Sequence, residues 1–263
     1  MSRLGRITSE TRAATRAFLR RRTAVFFTFL FPLLIVLIFG ALIQTQPTGG
    51  GLFTEPPAYY VPGYLAVVVL FTPLSRVGSE VARHRDDRRF EKLATTPLSR
   101  AEWLLSQTLV NVAIIGVAAV LVLAVMVAVT GATIAPSPWL VPFLAIGVAL
   151  FCGIGALLGS FTDSQDGVIA ASNTLALPLL FLSETFVPPE LLPEWFRPLI
   201  ELSPLTYFSR GVRAVVTDPG AGVDGTIIAV WPAGPDPAIN LAILSVLAIV
   251  TFGLGALTLP RTD

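Results

Sequence analysis

The amino-acid sequence predicts an all-α, polytopic integral membrane protein: one domain over residues 1–263, with six transmembrane helices. Three observations carry that expectation. Apolar residues make up 54% of the chain and charged residues 13%, the latter about half the usual share of a soluble domain. Six segments are long and apolar enough to cross a hydrocarbon core, which takes about twenty helical residues. The charge is segregated: seven arginines fall within residues 1–22, and six arginines with the only lysine, Lys92, fall between Arg76 and Arg100. A soluble protein of this length would need far more polar surface to cover its core.

Residues 2–23 predict a helix whose Leu4, Ile7, Ala14 and Phe18 form a narrow apolar stripe between arginines. Such a helix lies along the inner leaflet, held by apolar burial and anionic lipid. The alternative is a charge cluster that sets topology without packed structure. Residues 24–43 follow as the first span. Their apolar run exceeds a signal-peptide core and no A-x-A-like site follows, so the span is read as retained. The second, 59–75, is short and contains Pro73, which neighbouring helices make tolerable.

Spans three to six are expected at 105–130, 138–161, 167–187 and 239–259. Gly155 and Gly159, with Gly153, offer a surface for close helix packing in span four. Between spans five and six, Pro193 and Pro204 stand where short helices begin. Two short amphipathic helices, re-entrant on the outer face, are expected there, followed by a Pro-, Gly- and Asp-rich loop to Ala238.

If the spans alternate from an inner N-terminus, fifteen of the eighteen Arg and Lys residues lie on the cytoplasmic side. Only Arg197, Arg210 and Arg213 lie outside, which places both termini in the cytoplasm. Tyr59, Tyr60 and Tyr64, with Trp139, then read as an interfacial aromatic belt.

Several chemistries are excluded. The sequence has no G-x-x-x-x-G-K-[ST], because its lysine follows Glu91. A single histidine, His84, rules out histidine metal clusters and a Ser-His-Asp triad, and it reads as a solvated loop residue. The lone Cys152 excludes an intrachain disulfide and a cysteine metal cluster. The basic blocks flank hydrophobic runs, so they are juxtamembrane anchors rather than a nucleic-acid footprint. Carriers driven by ion gradients place ionisable groups within their spans. Glu184 is the one candidate here, either an interfacial carboxylate reaching water or a carboxylate lining the outer mouth of a path.

The inner loop has its own pattern. Asp86, Asp87, Arg88, Arg89, Glu91 and Lys92 alternate with Phe90, Leu93 and Leu98; the chain breaks at Pro97 and resumes at Ser99. Ser99 and Glu102 have the spacing of a capping box. A short helix with mixed charge and apolar knobs suits a groove on a partner protein, or packs on the inner leaflet.

Three stretches carry a family resemblance. Tyr60-Val61-Pro62-Gly63 opens span two with a Pro-Gly entry. Arg89-Phe90-Glu91-Lys92-Leu93-Ala94-Thr95-Thr96-Pro97-Leu98-Ser99-Arg100 is similar to the pattern E-x-G-T-L-E-x-L-x-x-T-P-x-S-x. Leu177-Pro178 through Val187-Pro188, then Leu191-Leu192-Pro193-Glu194-Trp195 and Ser203-Pro204-Leu205-Thr206-Tyr207, follow the order of the third. With the six-span layout, the sequence resembles the type-2 membrane subunits of ABC exporters. It departs from them around Arg89-Phe90, where Gly and Thr are usual, and at Glu184, where a small residue is common.

The resemblance implies a permease in the plasma membrane, working as two copies, or one copy with a relative, over two ATP-binding subunits. ATP and Mg belong to those partners, and no cofactor is expected on this chain. It implies that Arg88 to Leu93 and Thr96 to Arg100 touch the ATP-binding partner. Glu184, Phe186 and Pro188 would line the translocation path or its outer gate. A hydrophobic or amphipathic cargo (a drug, lipid or lipid-linked glycan) suits apolar helices with few charges. The competing classes are a stand-alone secondary transporter or flippase and a non-transporting membrane scaffold.

Overall fold

The computed structural model describes residues 2–38, 57–132, 134, 137–186, 193–216 and 236–259. Among them every regular element is helical. In chain order these are α1 (Arg3–Arg20), α2 (Arg22–Leu37), α3 (Val61–Asp86), α4 (Arg89–Ala94), α5 (Arg100–Thr130), α6 (Leu140–Phe161), α7 (Gln165–Phe181), α8 (Arg197–Ile200), α9 (Pro204–Val216) and α10 (Pro237–Thr258). Four of them, α3, α5, α6 and α10, are long and apolar enough to cross a membrane. Helix α2 is apolar but has 16 residues, and α7 has 17. The expected first and fifth spans are therefore shorter as described helices than their apolar runs.

Local signals set most boundaries. Ser2 caps α1 by accepting from Gly5 N at 3.2 Å. The capping box at Ser99 is present in full: Glu102 N donates to the Ser99 hydroxyl at 3.2 Å, and Ser99 N donates to the Glu102 carboxylate at 2.9 Å. Helix α5 ends on Gly131, at φ 65°, the left-handed conformation that glycine adopts without penalty. Ser164 caps α7, and Asp236 caps α10.

The centre of the bundle is α3, packed along α6, which in turn packs along α10. In the most apolar window of each helix, 67% of α3 is buried but only 17% of α10, so α3 is the core and α10 the rim. Helix α7 lies on α3, α1 and α2 lie on α5, and α9 wedges among α10, α3 and α6.

Helix α3 departs most from expectation. The second span does not stop near residue 75; it continues through the charged stretch to Asp86, about 39 Å of helix. Arg76, Glu80, Arg83, His84 and Arg85 are therefore helical. His84 is not a solvated loop residue but is buried at 8% exposure. The tyrosine belt is also corrected: Tyr59, Tyr60 and Tyr64 are buried where α3 begins, so they pack the interior instead of facing the interface. Trp139 remains exposed at the start of α6.

The amphipathic α1 is more than a leaflet helix. Its Ala14 and Phe18 pack against Val110 and Ile114 of α5, whereas Leu4 stays exposed. The connection between α7 and α10 contains two short helices, α8 and α9, with a 3-10 turn at Glu194–Phe196 leading into α8.

Candidate functional site

Two clusters of polar residues sit at opposite ends of the bundle. One is built on the turn between α3 and α5. Arg88 adopts a left-handed conformation (φ 51°), which reverses the chain after α3 and starts α4. The short helix expected in this loop is only these six residues of α4. Thr95 to Leu98 form a non-helical connection to the Ser99 cap. Phe90 does not project as a knob; its ring is buried at 5.5 Å from His84 and 5.4 Å from Trp103, which are themselves 5.3 Å apart. This triangle of rings ties the end of α3, α4 and the start of α5 together. Leu93 and Leu98 are half-buried against the same core. The outward surface consists of Arg88, Arg89, Glu91, Lys92, Thr96 and Pro97. Arg89 leans on Asp87 at 3.2 Å, while Glu91 and Lys92 make no ion pair among the described residues.

Helix α1 is fastened to this turn. Arg6 donates to the Glu102 carboxylate at 2.7 Å, so one side chain closes the α5 cap and anchors α1. The Ser106 hydroxyl reaches the Ile7 carbonyl at 3.3 Å. Farther along, Arg76 lies over the Phe18 ring at 5.2 Å, and Glu80 gathers Arg21, Arg83 and His84. Glu10 faces this charge cluster from α1; burial and the neighbouring Glu80 push its carboxyl above the usual range.

At the opposite end, α7 stops at Phe181, and Ser183, Glu184 and Thr185 form a buried elbow. Glu184 does not reach water. Arg210 of α9 forks onto its carboxylate, with Nε at 2.9 Å, and also holds Glu201 at 2.7 and 3.1 Å. The Glu184 bond raises the Arg210 pKa further. Arg213 donates to the Glu184 carbonyl at 2.8 Å and lies over the Tyr59 ring at 4.3 Å. The Thr185 and Ser209 hydroxyls pair at 2.9 Å. Phe186 packs edge-on to Tyr64, and a Cβ on Gly63 would lie 2.8 Å from that ring. The Pro-Gly entry to α3 is thus where the elbow crosses it. Pro188 lies outside the described residues.

Gly155 and Gly159 meet α3 of the same chain. A Cβ on Gly155 would sit 2.6 Å from the Leu74 carbonyl oxygen, and one on Gly159 would collide with the Gly78 carbonyl. Gly153 plays the same part against α10, next to Thr251 and Phe252.

A family model described as ABC-2 type transporter matches residues 7–217, which is more than half of the chain and runs from α1 to the end of α9. The chain belongs to the ABC-2 type transporter family. No curated protein matches it. As an ABC-2 family member it is a multi-pass transporter membrane subunit, and its matched region contains both polar clusters except for Arg6. Among the described residues, no group of three His, Cys, Asp or Glu side chains stands ready to hold a metal. Reading the sequence singled out Glu184 and Glu102 but missed their partners. Arg210 and Arg6 are 26 and 96 residues away from them, and no local spacing reports such a contact.

Proposed function

We propose that this ABC-2 family chain is the permease of an ATP-driven exporter, pairing with a second copy or a relative above two ATP-binding subunits that carry ATP and Mg. Its cargo is hydrophobic or amphipathic. Both termini and the α3–α5 turn face the cytoplasm, where the basic residues concentrate.

The observation that supports this reading best is the build of the inner turn. It presents an exposed strip, Arg88, Arg89, Glu91, Lys92 and Thr95 to Pro97, while its inward side is locked by Phe90, His84 and Trp103. Pressure on the strip is passed to α3 and α5 together, and through Arg6–Glu102 to α1, as a rigid shift of packed elements. Helix α7 supports a paired assembly. Its uncovered face carries Asn173 among apolar residues, and an amide facing hydrocarbon is costly. That face suits a second permease or the water-filled path between the two. At the outer end, Glu184 acts as a brace through Arg210, with Phe186 beside it.

The test is charge reversal on the strip. Glu91→Arg with Lys92→Glu is expected to weaken co-purification with the ATP-binding subunit roughly tenfold, about 1.4 kcal/mol, and to reduce ATP-dependent export in parallel. Full association and full export in that variant would remove the strip from the partner interface.

A further inference from the structure

The α3–α5 turn is covalently joined to α3 and α5, yet α6 and α10 also end near it. Helices α6 and α10 both finish at this inner end, and the last carbonyls of any helix lack intrahelical partners and carry partial negative charge. Two arginines reach them. Arg85, in the last turn of α3, donates from Nη1 to the Ser160 carbonyl at 3.3 Å and from Nη2 to the Thr162 carbonyl. Arg100, the first residue of α5, donates from Nη1 to the Leu259 carbonyl at 2.8 Å and the Leu257 carbonyl at 3.2 Å. The two residues bracket the turn, one on each side.

We propose that Arg85 and Arg100 are struts: they carry movement of the α3–α5 turn into the inner ends of α6 and α10. The proposal rests on the exporter reading and adds a route that the covalent chain does not supply. It also reassigns Arg100, whose described hydrogen bonds go to α10 rather than to the outward strip. Both contacts are charge-assisted and end on backbone, so a shift of either arginine moves the helix end itself rather than a side-chain rotamer. The planar fork of Arg85 holds two carbonyls at once, which a lysine ammonium on its flexible stem does not reproduce. Both are positioning residues and touch no cargo.

The experiment is hydrogen exchange of the complex of the chain with its ATP-binding subunits in nanodiscs, with and without ATP and orthovanadate. In the native complex, trapping is expected to change exchange in three places together: residues 86–99, 157–162 and 254–259. In Arg85→Ala/Arg100→Ala, the change at 86–99 is expected to persist, while the changes at the two helix ends fall at least threefold. Arg85→Lys is expected to be intermediate at 157–162 only. A purely structural role would raise exchange at the helix ends with and without nucleotide and leave the trapping-dependent difference intact. That outcome overturns the proposal, as does a native complex in which 86–99 responds and the helix ends do not. If 86–99 itself is silent on trapping, the coupling reading falls and takes the struts with it. If the double variant does not fold, the single Arg85→Lys variant reads the same trapping-dependent difference at 157–162, and an undiminished difference there overturns the proposal.

Discussion

Arg210→Ala is expected to cost about 3–5 kcal/mol of stability, because it leaves the Glu184 carboxylate buried at 3% exposure without its cation. A loss of that size lowers the thermal midpoint of a chain of this length by about 10 °C. The double variant Arg210→Ala/Glu184→Gln is expected to regain most of it, since the uncompensated charge is gone and only hydrogen bonds are missing. Glu201→Ala, removing the half-exposed partner of the same guanidinium, is expected to cost about 1 kcal/mol or less, as exposed pairs do. Detergent melting curves rank the three. Equal midpoints for Arg210→Ala and Glu201→Ala would show that the elbow of α7 is not held through Glu184.

Gly155→Val is expected to be as damaging by the opposite mechanism. Its Cβ would lie 2.6 Å from one α3 carbonyl and 3.1 Å from the next, and both obstacles are backbone. Overpacking in a core typically costs about 1–3 kcal/mol. Here the cost lies at or above the top of that range, because helix α3 cannot step aside without leaving α6. Gly116→Ala in α5 is the control. An added methyl there meets nothing within 4 Å, and the gain in helix propensity is about 0.5–1 kcal/mol. Monodisperse yield after solubilisation is expected to collapse for Gly155→Val and to hold or rise for Gly116→Ala. Good yield from Gly155→Val would mean that the α3–α6 crossing is looser than the geometry indicates.

These two sites also show what was legible in the sequence. Helix positions were legible because long apolar runs have few alternatives in a membrane, and the Ser99–Glu102 cap because its signal is local. Small residues in span four announced a close approach, but not that α3 would be the helix approached. The extension of α3 to Asp86 was hidden by its charges, which in isolation read as a loop. Neighbours supply their partners: Glu80 gathers Arg21, Arg83 and His84, the end of α6 takes Arg85, and Phe18 of α1 takes Arg76. Phe90 misled for a related reason. A six-residue helix has too little periodicity to say which side faces in, and the decision comes from His84 and Trp103, neither of them on α4. Glu184 stood out as the one carboxylate in an apolar run, but its role depended on an arginine that arrives from α9.

On the proposed exporter reading, the exposed strip of the α3–α5 turn is where force enters this ABC-2 family membrane subunit. The decisive measurement is photo-cross-linking from an unnatural amino acid at Lys92, an exposed cation of α4, in native membranes. A covalent adduct with the ATP-binding subunit is the expected result, together with protection of the site from membrane-impermeant reagents added to intact cells. No adduct, with free labelling from the external medium, would contradict both the orientation and the source of the driving force.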